Sequence, residues 1–319
     1  MLLYGLDTDR SFAQALATEL GAALAPFENR QFEDGEHKLR PLSDPLGQDA
    51  YVVHSLFGDH SESPHDKLCQ LLMFMATLRE HGCARVSAVM PYLAYARKDR
   101  QTKPFDPVTL RYVAQLFEAV GTAQVFVLEV HNVAAFQNAF RCPTFHIEAH
   151  CALESTVLEW LGEQTVAVAS PDPGGVKRAQ LWRESLTVKL GRPVGFAMVD
   201  KRRSAGLVSS DNLVAGDVNG ATVLLLDDLI ASGDTMRRAA MALRVAGARE
   251  VLACAAHGLF VGSAADVLTD EHIGQVVITD SVPPFRLPQS HALRKKLRIV
   301  SAAPLFAQSI RASHAAWRR

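Results

Sequence analysis

Short apolar runs alternate along the chain with longer stretches in which apolar residues recur at helical spacing. In the first half the runs at 50–55, 86–90 and 125–128 predict strands; in the second half those at 166–169, 194–199, 223–226, 251–255 and 276–279 do so. Helical spacing predicts helices over 68–82, closed by Gly82, over 176–186, and from Met236 to Gly247, where Met236, Ala239, Ala240 and Leu243 share one face. Wholly apolar strands are those covered on both faces, and alternation of strand with helix builds parallel sheets. The pattern predicts an α/β protein of two similar lobes, each a mostly parallel sheet flanked by helices. We place the lobes at 1–145 and 146–295 and read 296–319 as a strand and a Pro304-started helix that pack back on the first lobe. No repeat of fixed short period, low-complexity tract or Gly/Ser linker interrupts the pattern, so the lobes are expected in close contact.

The run VLLLDDLIASGDT, 223–235, carries the clearest chemistry. Asp227 and Asp228 end an apolar strand, and Ala231-Ser232-Gly233-Asp234-Thr235 makes a small polar turn before a helix. Ligands of open α/β sheets bind beyond the carboxyl ends of strands. A helix start with small side chains and open N–H groups cradles phosphate. Adjacent carboxylates accept from vicinal hydroxyls or give oxygens to a hydrated Mg2+. Together these describe a ribose 5-phosphate site made by Asp227, Asp228, Ser232, Gly233, Asp234 and Thr235. The plainer reading is a solvated strand end with a Ser or Asp helix cap.

Other segments stand at predicted strand ends. In SPDPGGVKRA, 170–179, Asp172 ends a strand, Gly174-Gly175 let backbone approach a ligand, and Lys177 and Arg178 open a helix. DKRR, 200–203, follows VGFAMV and precedes SAGLVSSDN, read as a polar loop. Alone, such a cluster is more often a solvated patch, though this one lies beyond a strand end beside the presumed site. FEDGE, 32–36, reads as a turn built on Asp-Gly. PYLAYARKDR, 91–100, follows the strand VSAVM, and the Arg97 guanidinium suits both aromatic faces and phosphates. His131, in VFVLEVHN, is a single histidine after a strand, a residue type more often structural than ligating.

The 319 residues allow two domains with sizeable cores. A net charge of −1 and a pI near 6.9 give no global electrostatic case for nucleic acid or a membrane surface. No run approaches a membrane span, and the first ten residues lack the basic start of a signal peptide. The five cysteines are dispersed without a CxxC pair, as expected of reduced thiols in the cytoplasm, and Cys69 and Cys254 lie in apolar runs that read as core.

On these residues the chain resembles a known family. VLLLDDLIASGDT resembles the phosphoribosyl-binding signature of the type I phosphoribosyltransferase fold. SPDPGGVKRA and PYLAYARKDR resemble the SPDxGGVxRA and PYxxYARQDR boxes of ribose-phosphate pyrophosphokinases, and the likeness runs from FEDGE to SAAPLFAQSIR. A phosphoribosyltransferase has one such lobe and neither FEDGE nor the YARxDR box. The resemblance implies transfer of the β,γ-pyrophosphoryl group of MgATP to the C1 hydroxyl of ribose 5-phosphate, giving phosphoribosyl pyrophosphate and AMP, with Mg2+ as cofactor. It implies that Phe32, Asp34 and Glu36 frame adenine across a subunit boundary, with Arg97 and Asp99 also on the nucleotide. It gives the metal to His131 and Asp172 and the catalytic roles to Lys201 and Arg203. It further implies a dimer-based homo-oligomer, up to a hexamer, in the cytoplasm, with no nucleic-acid or membrane partner. The alternatives are a non-catalytic, pyrophosphokinase-like regulatory subunit and a phosphoribosyltransferase. The chain departs from the family pattern at Lys98 for Gln, Glu129 for Asp, Ala231 for Asp, Asp234 inside the ribose loop, and QTKPFDPVT, 101–109, in place of a more basic loop.

Overall fold

Backbone hydrogen bonding, rather than apolar content, sets where the strands end. A computed structural model describes the backbone of residues 1–204 and 207–318, and the side chains of these except 201–204 and 207–212. The chain divides into two compact units, Met1–Glu148 with Ser301–Arg319, and Ala149–Val300.

The first unit runs β1 (Leu2–Gly5), α1 (Ser11–Leu20), β2 (Phe27–Gln31), β3 (His37–Pro41), β4 (Asp49–Val53), α2 (Pro64–Glu80), β5 (Arg85–Met90), α3 (Thr109–Ala119), β6 (Gln124–Leu128), α4 (Val133–Ala139) and β7 (Thr144–Ile147). Its sheet is parallel in the order β1-β4-β5-β6-β7, while β2 and β3 form a separate antiparallel hairpin. Helix α2 starts before the apolar run, because Ser63 and Asp66 make a capping box and Pro64 suits the first turn. Leu68, Leu71 and Leu72 face the core. Cys69, expected in the core, is exposed, since helical spacing turns it away from that face.

The second unit runs α5 (His150–Leu161), β8 (Val166–Ser170), α6 (Val176–Leu190), β9 (Gly195–Ser204), β10 (Leu207–Ala215), β11 (Thr222–Ile230), α7 (Asp234–Val245), β12 (Glu250–Gly258), α8 (Ala264–Val267), β13 (Gln275–Thr279) and β14 (Leu297–Val300). The order is β10-β9-β8-β11-β12-β13-β14, parallel apart from β10. The chain lays β9 on one side of β8 and β11 on the other, so strand order reverses between β8 and β11 and opens a crevice at their carboxyl ends. The first sheet keeps sequence order and has no such reversal.

Two expected boundaries move. Strand β9 continues through DKRR, and much of SAGLVSSDN belongs to β10, with Arg203 opposite Val208 and Lys201 opposite Asn212. Strand β11 continues past the acids, with Leu229 and Ile230 paired to His257 and Gly258. In both places a partner strand carries the ladder beyond the apolar run.

The last segment also separates. Strand β14 pairs with β13 in the second sheet, and only α9 (Ala303–Trp317) belongs to the first unit, where it packs on α1. The expectation of both on the first lobe is corrected: the parallel edge of β13 takes the strand, while the apolar face of α9 buries Phe306 against Phe12.

Asp49 ties α9 to the first sheet. It accepts from Arg85 Nε and Nη2 at 2.8 and 2.6 Å and from His314 Nδ1 at 2.6 Å. Burial raises its carboxyl, but the bonds from Arg85 and His314 outweigh burial and hold it below the ordinary carboxylate range. The native value lies below the unfolded one, so the stabilisation is full above about pH 4 and is lost as pH falls through the native value. Asp49→Ala should therefore lower unfolding free energy by about 3–5 kcal/mol at neutral pH, by leaving a buried cation without its partner. Urea titrations should show the gap from wild type shrinking in acid; an unchanged midpoint at pH 7 would contradict this account.

Candidate active site

At the crevice of the second unit, β11 delivers Asp227 half-buried and Asp228 buried. The Asp228 N–H donates to Asp227 Oδ1 at 2.8 Å, and Arg178 Nη1 stands 3.9 Å from the same oxygen. Burial, then the adjoining Asp228 carboxylate and its hydrogen bond, push the Asp227 carboxyl well above the usual range, while Arg178 pulls it down. Two crowded acids of this kind favour a ligand that brings hydroxyl donors or a cation.

The turn after β11 passes through Gly233 at φ +81°, where a Cβ would lie 3.2 Å from both Val267 and Leu268. Gly233 supplies no side-chain cap, and the Asp234 N–H meets Ser232 Oγ at 3.5 Å, which leaves the next N–H groups of the first turn of α7 able to face an anion. Asp234, which would oppose an anion there, is exposed: its carboxylate takes Ser232 Oγ at 3.0 Å and lies 3.8 Å from Arg237. Thr235 is half-buried in the first turn.

Asp172 follows β8 and accepts from Gly174 and Gly175 N–H at 2.8 and 3.3 Å, closing the turn Pro173–Gly175. Its Oδ1 is thus engaged by the backbone. A Cβ on Gly175 would meet Ser170 Oγ at 2.6 Å, so only glycine lets this turn fold tightly and bring Arg178 towards Asp227. Arg178, read from sequence only as helix-opening, is a member of the site. Lys201 and Arg203 lie on the part of β9 beyond the last β8 pairing, Ser170 with Met198; their side chains lie outside the described residues.

In the first unit, Asp99 Oδ2 accepts from Asn132 Nδ2 at 2.7 Å, and Asn132 also caps α4. That bond ties segment 91–100 to the end of β6, where His131 is exposed beside Asn132; no sequence signal links residues so far apart. Arg97 is exposed on the same segment. Glu129, at φ +35°, is buried with Oε1 3.7 Å from His146 Nε2 and so faces inward. FEDGE is the tip of the β2–β3 hairpin, closed by Phe32 N–H to Glu36 O at 2.8 Å and Glu36 N–H to Asp34 Oδ1 at 3.1 Å. Phe32, Asp34 and Glu36 are exposed there, with the Arg30 guanidinium 4.9 Å from the Phe32 ring centre. Lys98 binds Asp106 Oδ2 at 2.6 Å, and the same oxygen accepts from Thr102 N–H, Thr102 Oγ1 and Lys103 N–H. Two departures from the family pattern are therefore one structural feature.

Hard oxygen donors suit Mg2+, and the under-neutralised Asp227–Asp228 pair fits that ion. His131 belongs to the first unit and Asp172 to the second. A cavity of about 150 Å3 lined by Trp160, Thr222, Glu250, Leu252, Gln275 and Arg298 lies at the amino ends of the strands, away from these acids.

A parallel sheet reversing beside paired acids and a helix start is the arrangement in which α/β proteins commonly bind phosphate. Residues 1–121 match the N-terminal domain of ribose phosphate pyrophosphokinase, and 208–317 match the phosphoribosyl synthetase-associated domain. A ribose-phosphate pyrophosphokinase of Caldanaerobacter subterraneus subsp. tengcongensis is 34% identical over 308 residues, 97% of this chain and 93% of that one. One from Hyphomonas neptunium is 34% identical over 312 residues, 98% and 96% of the two chains. The crystal structure of phosphoribosylpyrophosphate synthetase from Mycobacterium smegmatis aligns at a TM-score of 0.85 with 30% identity, covering 98% of each chain. The chain belongs to the ribose-phosphate pyrophosphokinase family.

Gly233→Ala should cost about 1–2 kcal/mol of unfolding free energy, since strain at positive φ adds to close contact with Val267 and Leu268. Gly191, at φ +63° with nothing within 4 Å, is the control, and its alanine variant should lose less. Equal losses in denaturant titrations would show that contact with α8 does not constrain the loop.

Proposed function

We propose that this chain, as a member of that family, transfers the β,γ-pyrophosphoryl group of ATP to the C1 hydroxyl of ribose 5-phosphate. The observation that carries the reading is the acid pair beside the start of α7 at the sheet reversal. Asp227 and Asp228 accept from the ribose hydroxyls, and the N–H groups of the 232–235 turn take the 5-phosphate. The C1 oxygen attacks the β-phosphorus in line and releases its proton to solvent, the bond from that phosphorus to the α–β bridging oxygen breaks, and AMP leaves. Positioning and charge neutralisation supply most of the catalysis in such transfers.

Mg2+, when bound, would neutralise polyphosphate oxygens; in the second unit Asp227 and Asp228 would hold it through oxygen or water, and His131 and Asp172 are the residues that the family resemblance gives to the metal. Arg97 and Asp99 hold the nucleotide, and the exposed tip bearing Phe32, Asp34 and Glu36 serves the adenine site of a neighbouring copy in a dimer-based oligomer. Lys201 and Arg203 are the cations that meet charge developing on the transferring group. The setting is the cytoplasm, as the family resemblance implies.

Incubation with MgATP and ribose 5-phosphate should yield AMP in step with a pyrophosphorylated ribose. Formation of ADP alone, or no nucleotide turnover, would overturn the reading.

Lys201→Ala and Arg203→Ala should each lower kcat on the order of a hundredfold while both substrates still bind, because preplaced cations act mostly on the transition state. Steady-state kinetics with wild-type kcat in either variant would return DKRR to a solvated patch.

A further inference from the structure

Four charged or titratable side chains meet under the carboxyl ends of β1 and β4, in the first unit, and take no part in the mechanism above. Lys67, in the first turns of α2, is only 2% exposed. Its Nζ lies 2.7 Å from Asp59 Oδ2, 3.8 Å from Asp7 Oδ1 and 3.8 Å from the centre of the Phe57 ring. His54, wholly buried, places Nδ1 3.1 Å from Asp7 Oδ1, and its Nε2 has no hydrogen-bond partner. With Nδ1 carrying the proton, Nε2 is a buried lone pair rather than an orphan N–H.

Such a cluster is a poor way to stabilise a core. Buried ion pairs are commonly matched or bettered by apolar packing, and a cation near a helix start also opposes the helix dipole. Its connections run to the nucleotide segment. Asp7 Oδ2 accepts from the Ser55 N–H at 3.1 Å, Ser55 Oγ accepts from the Tyr92 N–H at 3.2 Å, and the Leu56 N–H donates to Tyr92 O at 2.9 Å. Tyr92 opens the segment whose later residues are Arg97 and Asp99. On the same helix as Lys67, His65 Nδ1 meets Tyr95 Oη from that segment, at a residue held at φ +66°. One end of the segment is thus tied to the buried charges and the other, through Asp99, to Asn132.

We propose that Asp7, Ser55 and Lys67 are positioning residues for the nucleoside triphosphate: they fix the backbone of 91–100 so that Arg97 and Asp99 stand ready before ATP arrives. Lys67, paired with Asp59, also offsets part of the Asp7 charge, Asp7 orients the Ser55 peptide, and the Ser55 hydroxyl holds the Tyr92 amide. The ribose phosphate site, in the other unit, does not depend on this chain of contacts. The inference rests on the reading that 91–100 binds nucleotide.

The test uses the full chain with three variants: Asp7→Ala, Asp7→Asn and Ser55→Ala. Affinities for a non-hydrolysable ATP analogue and for ribose 5-phosphate are measured by calorimetry, with amide exchange over 92–99 and Tm beside them. Asp7→Ala should weaken analogue binding on the order of tenfold, the effect of one lost hydrogen-bonded anchor, and speed exchange over 92–99. Ribose 5-phosphate affinity should stay within about twofold, as expected of a separate site. Asp7→Asn, whose amide oxygen still accepts from Ser55, should recover most of the loss. Ser55→Ala should act in the same direction with every charge in place, and it carries the comparison if Asp7→Ala does not fold. A lowered Tm with unchanged analogue affinity, or equal weakening of both ligands, would make the cluster merely structural and overturn the proposal. If the wild-type chain binds no analogue, the nucleotide reading fails and the positioning role falls with it; if wild type and variants bind alike, only the positioning role falls.

Discussion

Two carboxylates crowded into a low-dielectric corner set the terms for the second unit. Asp227 and Asp228 cannot both carry full charge cheaply where they stand, and the raised Asp227 carboxyl expresses that conflict. The surrounding structure shares the task of containing it. The tight glycine turn after β8 brings Arg178 within reach, and the reversal of strand order keeps the crevice open to ligand. A ligand with hydroxyls, or a hydrated cation, would relieve that imbalance. The helix start of α7 adds the complementary half, oriented N–H groups for an anion, and Asp234 avoids spoiling it by turning to Arg237.

The first unit is organised differently. Its sheet keeps sequence order, so no crevice arises from topology, and the edge is built by loops instead. Segment 91–100 is held at Tyr92 by Ser55, at Asp99 by Asn132, and at Lys98 by Asp106. The last bond explains how two oddities of sequence coexist: the lysine and the altered 101–109 segment complete one another. Helix α9 closes the other end of the unit through Asp49, at a residue nearly the whole chain length away. Placement of short loops by hydrogen bonds and ion pairs is what this unit contributes.

Much of this was legible in the sequence because it is local. A strand covered on both faces must be apolar throughout, so the central strands β4, β5, β6, β8, β11, β12 and β13 announce themselves. The acids after 223–226, the glycines after 166–169 and the amphipathic helix from Met236 are equally local. So are the motifs that carry the family likeness, since ligand-facing loops are short and continuous in the chain.

What tertiary structure alone decided involves partners distant in sequence. The ladder of β9 runs on through polar residues because β10 folds back on it, and that of β11 runs past its acids because β12 accompanies it. A ladder is made of backbone groups, which every residue supplies, so composition does not mark its end. For the same reason the half-polar strands β2, β3 and β7 escape an apolar count. Glu129 turns inward because His146 is there, and Asp99 is held because Asn132 is there. Strand β14 and helix α9 serve different units although they are neighbours in the chain. Sequence determines what each segment can bury and which chemistry it carries; which segments meet is decided only when the sheets assemble, because hydrogen bonds and ion pairs between distant residues leave no periodic trace in either partner.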